Sequence, residues 1–317
     1  MSTYLHPNRL EFIVTYRCNS RCRHCQVTAA ERKRRPAALS PQLAQRAVRE
    51  LAAAYPLTSM MTFGGEPLLY PETVFAAHAA ARDCGISSRD VITNAGVPRG
   101  EEDFRHVAQR LADSGVNYIS ISVDAFHEEY VPLEILRRNV RALVDVGIQH
   151  LEWNPVFAVS RDADNPWDAR TRQILKELSD LPVINDGTND IQLLPMGAAL
   201  DNLAEYLPPR QPCPPGTCGD IPFSGPLDDI TCISVEPDGS LTTCFDLSIG
   251  NMREKNAAEI CQRYDPYADP LIKTILEGGP QALLAEAQRR GIPPDPRGYA
   301  SACQMCRELR RVVSAPA

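Results

Sequence analysis

Between residues 10 and 195 the chain repeats one pattern, in which short apolar runs alternate with longer amphipathic stretches. Runs at 10–15, 59–63, 91–93, 118–124, 151–157 and 191–195 read as six strands. Stretches at 41–54, 71–84, 101–113, 132–146 and 167–178 read as five helices; Ser40-Pro41 opens the first, and Gly85, Gly115 and Gly147 follow three of the others. Such alternation calls for a parallel sheet with right-handed crossovers. Six units are too few for a full eight-fold barrel, so the pattern predicts an α/β fold, a partial, open (β/α)6 barrel over residues 1–206. Ligands of such folds gather at the carboxyl ends of the strands. That rule brings the loop at 16–39, Gly64-Gly65-Glu66-Pro67, Asn94 and Asp124 to one face, although they lie far apart in sequence.

The first of these loops holds Cys18-x3-Cys22-x2-Cys25. Three thiolates can hold three irons of a [4Fe–4S] cube. The fourth iron is then open to a small molecule, much as a catalytic zinc keeps one position free. The loop also carries the basic run Glu31-Arg32-Lys33-Arg34-Arg35, which reads either as a solvated loop or as a docking patch for an acidic electron donor. Eleven cysteines in 317 residues, with no secretory signal, point to a reducing compartment, the cytoplasm, and to metal or redox use. No apolar stretch approaches a membrane span. The net charge of −7 argues against a nucleic-acid partner and suits a small cationic substrate.

The cysteine triplet follows a first strand and the Gly-Gly-Glu-Pro loop follows a second, and in this residues 10–195 resemble the radical SAM superfamily. The resemblance implies two cofactors, a [4Fe–4S] cluster and S-adenosylmethionine (SAM) chelated by its open iron. It also implies a one-electron donor such as flavodoxin or ferredoxin, whose electron releases a 5′-deoxyadenosyl radical. Carried onto this chain, it gives Gly64, Gly65, Glu66 and Pro67 the methionine amine, with Glu66 accepting from the ammonium. It gives Asn94, Ser122 and Asp124 the ribose or carboxylate, Leu194 the adenine, and His24 the aromatic slot before the last cysteine. Asn94, Ser122 and Asp124 each read equally as ordinary strand-end residues.

Seven prolines within 207–226 mark a linker, and residues 227–317 form a small cysteine-rich remainder. There Cys232-x6-Gly239-x4-Cys244, built around the turn Pro237-Asp238-Gly239, is followed by Cys303-x2-Cys306. This resembles the SPASM/Twitch auxiliary-cluster domain and implies one auxiliary [4Fe–4S] cluster on Cys232, Cys244, Cys303 and Cys306; a zinc knuckle is the alternative. Cys213 and Cys218 are replacement ligands, a partial second cluster, or loop cysteines. Cys84 reads as a packed thiol. Cys261, on a short helix after Gly250-Asn251, is either a core thiol or a hydrogen-atom donor. His127, Glu128, Glu129, Trp153 and Asn154 are further candidates for the same mouth.

Within the superfamily the chain resembles neomycin-type aminoglycoside epimerases. That likeness implies inversion of a carbinol C–H in a small sugar-type metabolite, with Cys261 returning the hydrogen. Three other readings stand beside it. One is an alcohol dehydrogenase, which needs no donor thiol. Another is a peptide maturase, although no leader-recognition domain is expected before residue 10. The last is a non-catalytic electron carrier, which has no use for the Gly-Gly-Glu-Pro loop.

Overall fold

The computed structural model describes residues 2–97, 101–219, 225–245 and 247–313. Part of the expected proline-rich linker, 220–224, therefore lies outside the described residues. In chain order come β1 (Leu5–Thr15), α1 (Pro41–Ala54), β2 (Ser59–Gly64), α2 (Pro71–Asp83), β3 (Ser88–Thr93), α3 (Glu101–Asp113), β4 (Tyr118–Ser122), the one-turn α4 (Ala125–Glu128), α5 (Leu133–Asp145) and β5 (His150–Asn154). Then follow β6 (Val156–Phe157), α6 (Pro166–Glu177), β7 (Ile191–Gln192) and α7 (Ala199–Asn202). The last third holds β8 (Ile230–Val235), β9 (Ser240–Cys244), β10 (Leu247–Asn251), α8 (Ala257–Gln262), α9 (Pro270–Arg289) and α10 (Ala302–Val313).

Local chemistry sets these boundaries. The Ser40 hydroxyl accepts from the Leu43 N–H at 3.2 Å, so α1 starts where its cap and Pro41 allow. Leu43, Ala44, Ala47, Val48 and Leu51, three or four apart, are the buried stripe of that helix. Along β1, Leu10, Phe12 and Val14 are buried on one face while Arg9, Glu11 and Ile13 alternate onto the other.

An eight-stranded sheet runs in the order β10-β9-β8-β1-β2-β3-β4-β5. Strands β1 to β5 are all parallel, as the βα alternation predicts. The sheet does not close into a barrel among the described residues, and β6 and β7 form a separate parallel pair. The expected fifth strand, 151–157, is split because Pro155 has no N–H to give a ladder: β5 stops at Asn154 and β6 starts at Val156.

The C-terminal third joins the same sheet. Strand β8 lies parallel against β1, with Arg9 opposite Cys232 and Phe12 opposite Val235. Strands β9 and β10 continue from it antiparallel. Residues 230–251 thus extend the barrel's own sheet and cover what would be an exposed edge of β1. One core joins the two parts, running from Leu10 and Phe12 to Ile233, Val235, Cys261 and Tyr264. Among the described residues, no helix is long and apolar enough to cross a membrane.

Candidate active site

The loops after β1, β2, β3 and β4 meet at one end of the sheet and hold one another in place. Glu66, fully buried, ties two of them. Its Oε1 accepts from the Leu68 N–H at 2.9 Å and the Thr93 hydroxyl at 2.8 Å, and its Oε2 from the Asn94 N–H at 2.8 Å. Burial pushes its carboxyl up to about 7, against these donors. Gly65 and Glu66 donate their N–H groups to the carbonyls of Thr15 and Arg17 at 2.6 and 2.8 Å, pressing the loop onto the end of β1. A Cβ on Gly64 would overlap the Thr15 carbonyl oxygen, and one on Gly65 that of Arg17. The glycines are thus required first by the chain's own close packing, and Pro67 is buried behind them.

The cysteine loop is held as firmly. The Asn94 side-chain amide donates to Asn19 Oδ1 at 3.0 Å and Ser20 Oγ at 3.3 Å, and lies 3.7 Å from Cys18 Sγ. Cys18 Sγ also accepts from the Ser20 N–H at 3.3 Å, and Cys25 Sγ from Arg32 Nη2 at 3.3 Å. Cys18 and Cys25 therefore each face polar hydrogens. Asp124, with Cys22 beside it, outweighs burial and raises His127 well above the usual imidazole range. Burial, helped by the Glu66 charge, pushes the Cys18 thiol up to about 11, so thiolate here calls for a metal to replace its proton. A segment far along the chain closes the loop: the Ala198 N–H donates to the Cys25 carbonyl at 2.8 Å, and a Cβ on Gly197 would overlap that same carbonyl.

Asp124 braces the loop after β4. It is fully buried and caps α4, its Oδ1 accepting from the Phe126 and His127 N–H groups at 2.9 Å. Its Oδ2 accepts from the Val156 N–H at 3.0 Å and lies 2.8 Å from His127 Nδ1. Burial alone would raise its carboxyl, but His127 overrides this and holds it down to about 2. His24 packs against the rings of Phe126 and His127, and burial pushes it down to about 4. Ser122 is half-buried and pairs with Asn154 at the carboxyl ends of β4 and β5. Leu194 is buried just beyond β7.

Against protein-family models, residues 12–149 match the Radical SAM superfamily. This stretch is a radical SAM domain. Among solved structures, native anSMEcpe with bound AdoMet superposes with a TM-score of 0.55 at 13% identity, covering 96% of each chain. His6-tagged anSMEcpe with bound AdoMet gives 0.53 at 13% identity, covering 96% of this chain and 92% of that one. BtrN in complex with AdoMet and 2-DOIA gives 0.47 at 14% identity, covering 89% and 91%. A comparison with curated proteins finds no match. Radical SAM proteins use SAM and a [4Fe–4S] cluster. The three sulfurs in a braced loop, two of them with hydrogen-bond donors, fit such a cluster.

The C-terminal cysteines lie on β8, β9, α8 and α10 and in the segment before β8. Those that act on Cys303 are Cys244, Cys306 and Cys218. Cys303 and Cys306, three apart on α10, share a face, and Cys244 ends β9. Cys232 stands opposite Arg9 on β8 and interacts with Glu11 and Arg9. The ladder with β1 fixes its side chain on the Arg9 face, which spacing around the Pro237-Asp238-Gly239 turn could not reveal. Cys213 and Cys84 are exposed. Cys261 is buried on α8 within the core between α8 and the layer of α1, with Tyr55 near it and no exposed surface.

The inner face of the sheet carries a network that the sequence reading missed. Arg9 Nε donates to Glu11 Oε1 at 2.7 Å, and Ser234 Oγ to Glu11 Oε2 at 3.2 Å. Ser120 donates to Glu152 at 3.0 Å and reaches Asp90 at 3.3 Å, while the Tyr118 hydroxyl also donates to Glu152. Three carboxylates thus face one guanidinium. The signal was present as polar residues at alternate positions of β1, β3, β4 and β5, hidden because each strand was judged by its apolar half.

Proposed function

We propose that this radical SAM chain removes a hydrogen atom from a carbinol C–H of a small, hydroxylated, cationic metabolite. The observation that carries this substrate class is the inner face, where Glu11, Asp90 and Glu152 outnumber Arg9. Amines suit such a face, since each carboxylate gains a charge-assisted partner. When bound, SAM and the cluster supply a 5′-deoxyadenosyl radical. The chain's residues do the rest: Asn94 and Glu66 fix the loops, Ser122 and Asn154 offer polar groups at the mouth, and the Tyr118–Glu152–Ser120–Asp90 chain can hold or move a proton. A one-electron donor of the flavodoxin or ferredoxin kind fits the need for reduction. Eleven cysteines, the described ones all free thiols, suit the cytoplasm.

Of the two outcomes for the carbinol, we favour oxidation to a carbonyl. Inversion needs a thiol facing the substrate, and burial in the core between helices argues against Cys261 as that donor. An auxiliary cluster on Cys244, Cys303 and Cys306, with Cys218 or Cys232 as its fourth ligand, would serve as electron acceptor. Epimerisation of an aminoglycoside-type sugar is the second reading, favoured by one observation. Cys232 is a thiol on the inner face, and burial, with Glu11 beside it, keeps it protonated. It stands opposite Arg9, six positions before Thr15, about 20 Å along the strand. A substrate of several rings would be needed to reach it.

The test is anaerobic turnover with SAM and a reductant in D2O, with amino sugars and short peptides as substrates. A carbonyl product without solvent deuterium supports oxidation. Inversion with one deuterium, abolished in Cys232→Ala and kept in Cys261→Ala, would replace it with epimerisation through Cys232. Inversion lost in Cys261→Ala would restore that residue as the donor. A modified peptide would overturn the small-molecule reading, and absence of 5′-deoxyadenosine would end the whole proposal.

A further inference from the structure

Glu31 and Arg32 are neighbours in the basic run, yet they hold opposite ends of one connection. Arg32 Nη1 donates to the Ser20 carbonyl at 2.9 Å and Nη2 to Cys25 Sγ at 3.3 Å, so the guanidinium clamps the cysteine loop from outside. Glu31 is 2% exposed in its side chain. Its Oε2 accepts from the Thr28 N–H and hydroxyl at 2.8 and 3.0 Å, closing the turn that carries both residues. Its Oε1 accepts from Arg307 and Arg311 of α10 at 2.5 and 2.8 Å. The turn is thereby pinned to the helix bearing Cys303 and Cys306, and Arg32 is held where it meets Cys25.

A hydrogen bond to a cysteinate sulfur draws charge from an iron–sulfur cluster, and a permanently positive donor adds a direct attraction for one more electron. Cys18 receives only neutral donors, the Ser20 N–H and the Asn94 amide, and Cys22 lies beside His127, whose charge is paired with Asp124, whereas Cys25 receives the guanidinium of Arg32 directly. We propose that Arg32 raises the reduction potential of the cluster on Cys18, Cys22 and Cys25, and that Glu31, anchored by α10, is the residue that positions it. The inference rests on the radical SAM reading of those cysteines. Its step is a single electron gained by the cluster from the external donor.

The experiment is an anaerobic redox titration of reconstituted full-length protein, following by electron paramagnetic resonance the reduced-cluster signal that changes when SAM is added. Iron content is measured on every sample. Arg32→Gln should leave about tenfold less reduced cluster relative to oxidised at the native midpoint, a shift of ~59 mV for one electron. Arg32→Lys should fall between native and Gln, because it keeps the charge and loses the fork. Glu31→Gln should move the midpoint the same way by less. A native midpoint in Arg32→Gln with full iron overturns the proposal. If that variant holds no cluster, Glu31→Gln decides, and an unmoved midpoint there overturns it equally. A native protein with no SAM-sensitive signal would instead sink the cluster reading itself.

Discussion

Gly65 shows how little freedom single residues have at the mouth. Its missing Cβ leaves room for the Arg17 carbonyl, and its N–H bonds to Thr15. Gly65→Ala should therefore cost about 1–3 kcal/mol in denaturant unfolding and lower the iron retained after reconstitution. Native stability with full iron in that variant would contradict the packing described. Asp90 gives a prediction in pH. Burial, reinforced by Glu152 and opposed by Arg9, lifts its carboxyl from 3.8 to about 7. The folded state thus favours the protonated form. That contribution is complete below the unfolded value of 3.8 and is lost as pH rises through about 7. Moving from about pH 5 to about pH 8 should destabilise the native protein, and Asp90→Asn should flatten that slope. Urea midpoints at the two pH values check this; an unchanged slope would place the titration elsewhere.

At the scale of elements, much was legible in sequence wherever the determinant is local. Helices α1, α2, α3, α5 and α6 begin and end within about two residues of the positions set by caps, prolines and glycines. The mouth was legible too, because strand order alone assigns its loops to one end. What each side chain does there was not. Glu66 and Asp124 also accept from backbone N–H groups that only the folded loops supply. Cys232 and Cys218 could not be sorted by spacing, since the register of β8 against β1 decides which faces Arg9. The assignment is checked by counting iron. Cys218→Ala should lose about four irons per chain, the content of one four-cysteine cluster, while Cys232→Ala keeps them. The reverse pattern would return Cys232 to the auxiliary set.

For the molecule as a whole, the parallel pairing of β8 with β1 carries a consequence for how the chain is made. Arg9 waits for Cys232, more than two hundred residues later, before its strand has both neighbours. Loop closure of that span slows folding, and an emerging chain shows a long, half-apolar edge until the last third has left the ribosome. A fragment stopped at 206 would keep the cysteine triplet and the radical SAM mouth, yet should associate through that bare edge in light scattering.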